Sequence, residues 1–213
     1  MASSNAEKAT DQLNKSSNAL NNVMMPTTKT KTKLLKRDLM VLCLRVLAVL
    51  ATASATIVMA LNKQTKSFVV ATIGNNPIKV SITAKFNHTP AFVFFVIANG
   101  NACLHNLVMI AMDLFGSKFD YKGLRLALIA ILDMMIVALA AAGDGAATFM
   151  SELGKNGNSH AQWNKICDKF EPYCNRGAAA LASSFAGIIL LLIITGMSII
   201  KLLKPNRIND IVP

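Results

Sequence analysis

Four apolar stretches, each long enough to cross a bilayer, dominate this chain of 213 residues. A spanning helix needs about 20 mostly apolar residues. Leu39–Leu61, Ala91–Phe115 and Gly177–Leu203 meet that length, as does a third-place segment from Leu124 to Ala142 that can extend to Met150 through Gly143–Gly145. In lipid every backbone polar group must be satisfied within the segment, so such stretches have few options besides helices. Composition agrees: 53% of residues are hydrophobic, only 15% are charged and mean hydropathy is +0.44. The first stretch is not a cleavable signal peptide. It follows a polar leader of 38 residues and stays apolar to Leu61, past the small residues Ala51, Ala53 and Ala55.

The expected fold class is therefore an all-α membrane protein, a four-helix bundle with helices at about 39–61, 91–115, 124–145 and 177–203. Residues 1–33 read as a disordered tail: they are rich in Ser, Asn, Thr and Lys and lack aromatics. The membrane domain covers 34–204, and 205–213 form a short second tail.

Basic flanks set the orientation. Lys29, Lys31, Lys33, Lys36 and Arg37 abut the first span, and Lys118, Lys122 and Arg125 lie between the second and third. Lys201, Lys204 and Arg207 close the fourth. The positive-inside rule places all three on the cytosolic side, with both termini. The first loop, 62–90, carries Lys63, Lys66, Lys79 and Lys85 without an acid and argues the other way, but the leader's cluster is denser and directly abuts a span. The net charge of +11 belongs to these flanks, where it attracts anionic lipid headgroups; no nucleic-acid partner is expected.

Two charges interrupt the apolar stretches. Arg45 lies six residues past Leu39, about 9 Å along a helix, and Asp133 lies nine past Leu124, about 13 Å. Both helices run outward from the cytosol, so the two depths agree. A charge in the hydrocarbon costs at least about 2.5 kcal/mol. Arg45 is long enough to snorkel to headgroups; Asp133 is not, and Arg45 is its natural partner. Asn99, His105 and Asn106 form a further polar group on the second span, a candidate intramembrane cluster, with Asn101 beside them. Such residues more often make interhelical hydrogen bonds than relay protons. Asp113 and Asp144 are expected at helix ends, in water. Small residues at spacing four, Ala48, Thr52 and Thr56 on one span and Ala179, Ser183 and Gly187 on another, suit close helix approach, within one bundle or between copies.

The external loops carry their own signals. Ile78, Val80, Ile82, Ala84 and Phe86 alternate with polar residues, and Phe68–Ile73 is β-prone. With Gly74–Pro77 as turn residues, the loop reads as a small extracellular β-hairpin on the outer end of the helices, or else as an irregular amphipathic segment on the membrane. Asn87-His88-Thr89 is a glycosylation sequon on the external side, hard against Pro90 and the second span; Asn14-Lys15-Ser16 is one on the cytosolic side. In the second loop, Cys167 and Cys174 face an oxidising compartment, where a disulfide is expected. Trp163 and Tyr173 there could anchor at the lipid interface or pack beneath the hairpin. Cys43 and Cys103 are expected as buried apolar fillers, with lipidation of Cys43 the alternative. No catalytic motif, haem-ligand spacing or metal-ligand spacing is present, so neither an enzyme nor a bound cofactor is expected.

The residues resemble one family. Arg45 in the first span and Asp133 in the third match the hallmark pair of the Casparian strip membrane protein-like family, plant four-span proteins related to the MARVEL group. Residues 71–86, Tyr121–Arg125 and Leu153–His160 with Trp163, Cys167 and Cys174 are similar to its first subgroup. The resemblance covers about 34–204. It implies a plasma-membrane scaffold that forms homo- and heteromers with itself and related four-span proteins and organises a membrane domain. It also implies that secreted wall-modifying enzymes work beside it. The aromatic-rich signature that founding members carry in the first external loop is absent; Phe68 and Phe86 are that loop's aromatics. The competing reading is an accessory subunit of a transporter or channel, in which Asn99, His105 and Asn106 would line one polar path.

Overall fold

The computed structural model describes residues 38–115 and 124–203. The leader 1–33, the cations Lys118 and Lys122, the Tyr121–Gly123 segment and the tail 205–213 lie outside the described residues. Among the described residues, four helices are long and apolar enough to cross a membrane: α1 (Asp38–Ala60), α2 (Pro90–Phe115), α3 (Leu124–Asn156) and α4 (Glu171–Leu203). Between α1 and α2 lies an antiparallel hairpin, β1 (Lys63–Ile73) and β2 (Asn76–Lys85), then a short 3-10 turn at Phe86–His88. The chain is a multi-pass membrane protein.

Two helix boundaries differ from the sequence reading, each for a local reason. α3 does not stop near Gly145 but runs eleven residues further. A Cβ at Gly143 would lie 2.8 Å from the Ala98 Cβ on α2, so that glycine serves a close helix contact, not a break. The stop is Gly157, which has φ +69° and donates its N–H to the Leu153 carbonyl at 2.8 Å. That is the left-handed cap that ends many helices. α4 begins at Glu171, six residues before Gly177, because Pro172 falls in its first turn, where no N–H is needed and an acid is favoured.

The interior mixes small and polar residues with a few large apolar ones, while many large aliphatic side chains face outward. Ala48, Ala102, Leu191 and Ile194 form one buried cluster. Leu50, Ile57, Leu104, Leu128, Ile189 and Leu192 are exposed. In water this would be an aggregation surface; against lipid tails it costs nothing, and small interface residues let the backbones approach. The stripe on α4 is used inside the chain: a Cβ at Gly187 would stand 3.0 Å from Thr52 Cγ2 on α1. Ser183 donates to the Ala51 carbonyl at 3.0 Å and contacts the Ser54 hydroxyl at 2.7 Å. Ala179, the third member of that stripe, is exposed.

A second buried cluster lies at the hairpin end, where Met59, Phe92, Phe95, Phe170 and Tyr173 pack with the base of the hairpin, Phe68, Ala84 and Phe86. The hairpin turns through Gly74 and Asn75. Gly74 has φ +63°, the requirement of a two-residue II′ turn at its first position. Asn76 and Pro77, expected in the turn, pair instead with Ile73 and Thr72. Proline is tolerated because the sheet has two strands and each is an edge. Val70 is bulged out of the register. The alternating face is not buried along its length: Ile78, Val80 and Ile82 are exposed, and Ala84 and Phe86 alone of that series pack on the cluster. Alternation marks a strand's two faces; it does not say how much of a face meets a partner.

Candidate functional site

Two polar layers cross the interior. The first joins α1, α2 and α3. Arg45 is 2% exposed and Asp133 is fully buried. Arg45 Nη2 donates to Asp133 Oδ2 at 2.8 Å, and Nη1 donates to Oδ1 and to Asn106 Oδ1, each at 3.3 Å. This two-pronged geometry is the strong form of an arginine–carboxylate pair. His105 Nε2 lies 2.7 Å from Asp133 Oδ1. Facing a carboxylate already engaged by a cation, that nitrogen carries the proton and donates. Asn106 completes the layer by giving its Nδ2 to the Ala102 carbonyl at 2.8 Å. Arg45 points inward, not toward headgroups, although its Nε has no partner among the described residues.

The second layer joins α2, α3 and α4. Ser184 Oγ stands 2.6 Å from both Asn99 Oδ1 and Asp144 Oδ1. Asn99 Nδ2 reaches the Phe95 carbonyl at 3.1 Å and Asp144 Oδ1 at 3.4 Å. All three residues are fully buried. Asp144 Oδ2 has no partner among the described residues, and no cation bonds this carboxyl there. Asp144 therefore corrects the expectation of a helix-end residue in water: α3 runs past it, carrying it inside. Asp113 is exposed, in the last turn of α2.

The expected cluster of Asn99, His105 and Asn106 is divided by these layers. His105 and Asn106 belong with Arg45 and Asp133; Asn99 belongs with Asp144 and Ser184; Asn101 is exposed. Ser184 and the burial of Asp144 were missed, though a signal existed. Asn99 and Asn106 are two helical turns apart, and Asp133 and Asp144 about three, so each helix repeats its polar residue on one face. Read together, the pairs predict two Asn–Asp rungs about 16 Å or less apart.

At the hairpin end, Cys167 and Cys174 form a disulfide. It ties the loop, held to the end of α3 by Ile166 and Cys167 N–H groups on the Gly154 carbonyl, to the first turn of α4. Trp163 pairs with Asn158 across a small bridge and is exposed, whereas Tyr173 is buried edge-on to Phe92. A side chain at Gly157 would meet the Trp163 carbonyl at 2.7 Å. Asn87 is exposed in the 3-10 turn. Cys43 is exposed, not a buried filler, and Cys103 is partly buried; in a bundle whose apolar side chains face lipid, an apolar filler has no need of the interior. No group of three or more His, Cys, Asp or Glu side chains among the described residues is placed to hold a metal ion.

Each layer links side chains of three helices, with Arg45 Nε and Asp144 Oδ2 left without a partner among the described residues. The charged one neutralises Arg45 with Asp133, and neither one contributes to the cavity at the hairpin end. Such an arrangement fixes helix register and neighbours.

Comparison with known proteins names the same group from most of the sequence. The model of the Casparian strip membrane protein domain matches residues 35–190. CASP-like protein 1B1 of Glycine max is 66% identical over 173 residues, covering 81% of this chain and 89% of the relative. CASP-like protein 1B2 of Populus trichocarpa is 69% identical over 177 residues, 83% and 89% of the two chains. CASP-like protein 1B1 of Arabidopsis thaliana is 57% identical over 164 residues, 77% and 83%. No solved structure matches.

Proposed function

The chain belongs to the Casparian strip membrane protein family, in its CASP-like first subgroup, and from that premise we propose that it is a non-enzymatic scaffold of the plasma membrane. It works by lateral association with itself and with related four-span proteins, both termini in the cytosol, and it organises a membrane domain beside which secreted wall-modifying enzymes act. The observation that carries this reading is the charged layer. The Arg45 guanidinium and the Asp133 carboxylate meet each other, with His105 and Asn106 beside them, so the two charges are paired inside the chain. The outward faces are left almost wholly apolar, suited to lipid and to neighbouring spans. The same arrangement disfavours an accessory transport subunit, because Asn99, His105 and Asn106 do not share one cavity. The basic flanks support cytosolic termini through the positive-inside rule.

Photobleaching of a fluorescently tagged copy in a plant plasma membrane tests the proposal. A scaffold recovers slowly or not at all, in discrete patches. Fast, uniform recovery would sink it and favour a mobile accessory subunit. A tag at Met1 reached from outside the cell would overturn the topology.

A further inference from the structure

With Asp144 ionised, the layer of Asn99, Asp144 and Ser184 holds one hydrogen fewer than its contacts require. The Phe95 carbonyl, 3.1 Å from the Asn99 amide, accepts a hydrogen bond, so the amide nitrogen faces it and the amide oxygen faces Ser184. Ser184 Oγ then stands 2.6 Å from two oxygens, Asn99 Oδ1 and Asp144 Oδ1. Oxygens this close share a hydrogen, since O–H···O bonds run roughly 2.5–3.0 Å. Two contacts need two hydrogens. Ser184 brings one and an amide oxygen brings none, so the other belongs to Asp144. Asn99 Nδ2 lies 3.4 Å from Asp144 Oδ1 and bridges neither contact.

Burial points the same way. All three side chains are fully buried, and no cation bonds the Asp144 carboxyl among the described residues. Asp144 Oδ2 has no partner there. On a carboxylate this oxygen would share an uncompensated buried charge; on an acid it is a carbonyl oxygen, a far cheaper orphan. A metal ion does not substitute for the hydrogen. Even around octahedral magnesium, oxygens about 2.1 Å from the metal stand about 3 Å from each other. The ionisable groups nearest the layer are Cys103 and His105 on α2, Tyr173 and Arg176 on α4, and Asp133 and Glu152 on α3 itself. Each is displaced by about 6 Å or more along its helix, and His105 and Asp133 are joined in the other layer with Arg45 of α1.

We propose that Asp144 is a proton-binding site, held as a neutral acid whose hydrogen ties α3 to α4. The hydrogen bonds then run in one direction. Asp144 donates to Ser184 Oγ, Ser184 donates to Asn99 Oδ1, and Asn99 Nδ2 donates to the Phe95 carbonyl. Three helices are joined by this chain, and its first link exists only while the proton stays. Losing the proton breaks that link and leaves a bare charge among α2, α3 and α4, so the contact is closed at neutral pH and loosens in alkaline medium.

Infrared absorption of the full chain at neutral pH, in nanodiscs of ether lipids that lack ester carbonyls, tests this directly. The wild-type spectrum minus that of Asp144→Asn should show the carbonyl stretch of a protonated acid. It should shift only slowly in D2O, because exchange waits for the layer to open. Carboxylate stretches in its place would overturn the proposal. In case the variant fails to fold, the unmutated chain carrying aspartate labelled with 13C at the side-chain carboxyl is a second arm. An acid carbonyl band should move with the label, and no such band at neutral pH would overturn the proposal. Unfolding against pH reads the same proton independently. Folded Asp144 keeps a proton that the unfolded chain gives up, so stability falls as pH rises. Relative to Asp144→Asn, the wild-type folding constant should fall about tenfold per pH unit around neutrality. Parallel curves would overturn the proposal. So would stabilisation by sodium at fixed pH that Asp144→Asn abolishes, which would make the occupant a metal cation.

Discussion

The two polar layers use the same pair of residue types, an asparagine on α2 and an aspartate on α3, and reach different solutions. In one, Asp133 is met by a guanidinium and an imidazole. In the other, Asp144 meets a hydroxyl and an amide and keeps one oxygen without a partner among the described residues. The first is a charge problem solved by a counter-charge, the second a hydrogen-bonding problem solved by neutral groups. The difference teaches that an acid inside a span is not one kind of feature. An acid paired with a cation must keep that cation; an acid held by neutral groups needs only something polar of its own shape.

The substitution that separates the layers most sharply is Asp133→Asn against Asp144→Asn. Asp133→Asn keeps the shape but leaves Arg45 buried without its counter-charge, and breaking a buried pair costs about 3–5 kcal/mol. Reversible unfolding in mild detergent should show that loss, together with little surface-delivered protein. Removing the disulfide by Cys167→Ser with Cys174→Ser acts outside both layers. For so short a loop the chain-entropy cost is about 2–3 kcal/mol, read as a lower melting temperature with unchanged coupling between Arg45 and Asp133. Gly143→Val strikes the neutral layer alone. Its side chain must displace Ala98, next to Asn99, at a cost of about 1–3 kcal/mol. Crosslinking of paired cysteines should then show α2 and α3 spreading near Asn99 while staying in register near Asn106. Asp144→Asn is the smallest change, expected below about 1 kcal/mol, because an amide replaces hydrogen bonds and strands no cation. A loss at Asp144→Asn as large as at Asp133→Asn would erase the distinction.

Much of this was legible from residue order. The four spans follow from length and hydropathy alone, and the partnership of Arg45 with Asp133 follows from two depths that agree and one side chain too short to snorkel. The hairpin was readable from alternation and from Gly74. What was hidden depended on neighbours in space. Hydropathy alone ends the third span near Gly143–Gly145, which put Asp144 at a helix end, until Ala98 is seen against Gly143. Pro172 looks like a loop residue unless it is counted from the helix start. Ser184 is one of two adjacent serines on α4, and sequence does not tell which one turns inward: Ser183 faces α1, Ser184 faces Asn99 and Asp144. Nor does alternation reveal that the hairpin buries its base and exposes Ile78, Val80 and Ile82. The cavity at the hairpin end is assembled from segments far apart in the sequence and leaves no local mark.

The central claim is that Arg45 and Asp133 act as a structural pair that holds the helix bundle together. A double-mutant cycle tests it most directly: Arg45→Leu, Asp133→Leu and the two together, with unfolding free energy in detergent as the readout. The account predicts that each single change costs about 3–5 kcal/mol and that the double variant recovers most of the loss, since two apolar residues strand no charge. Losses that simply add would show that the two residues stabilise the protein independently, and the paired layer would have to be abandoned.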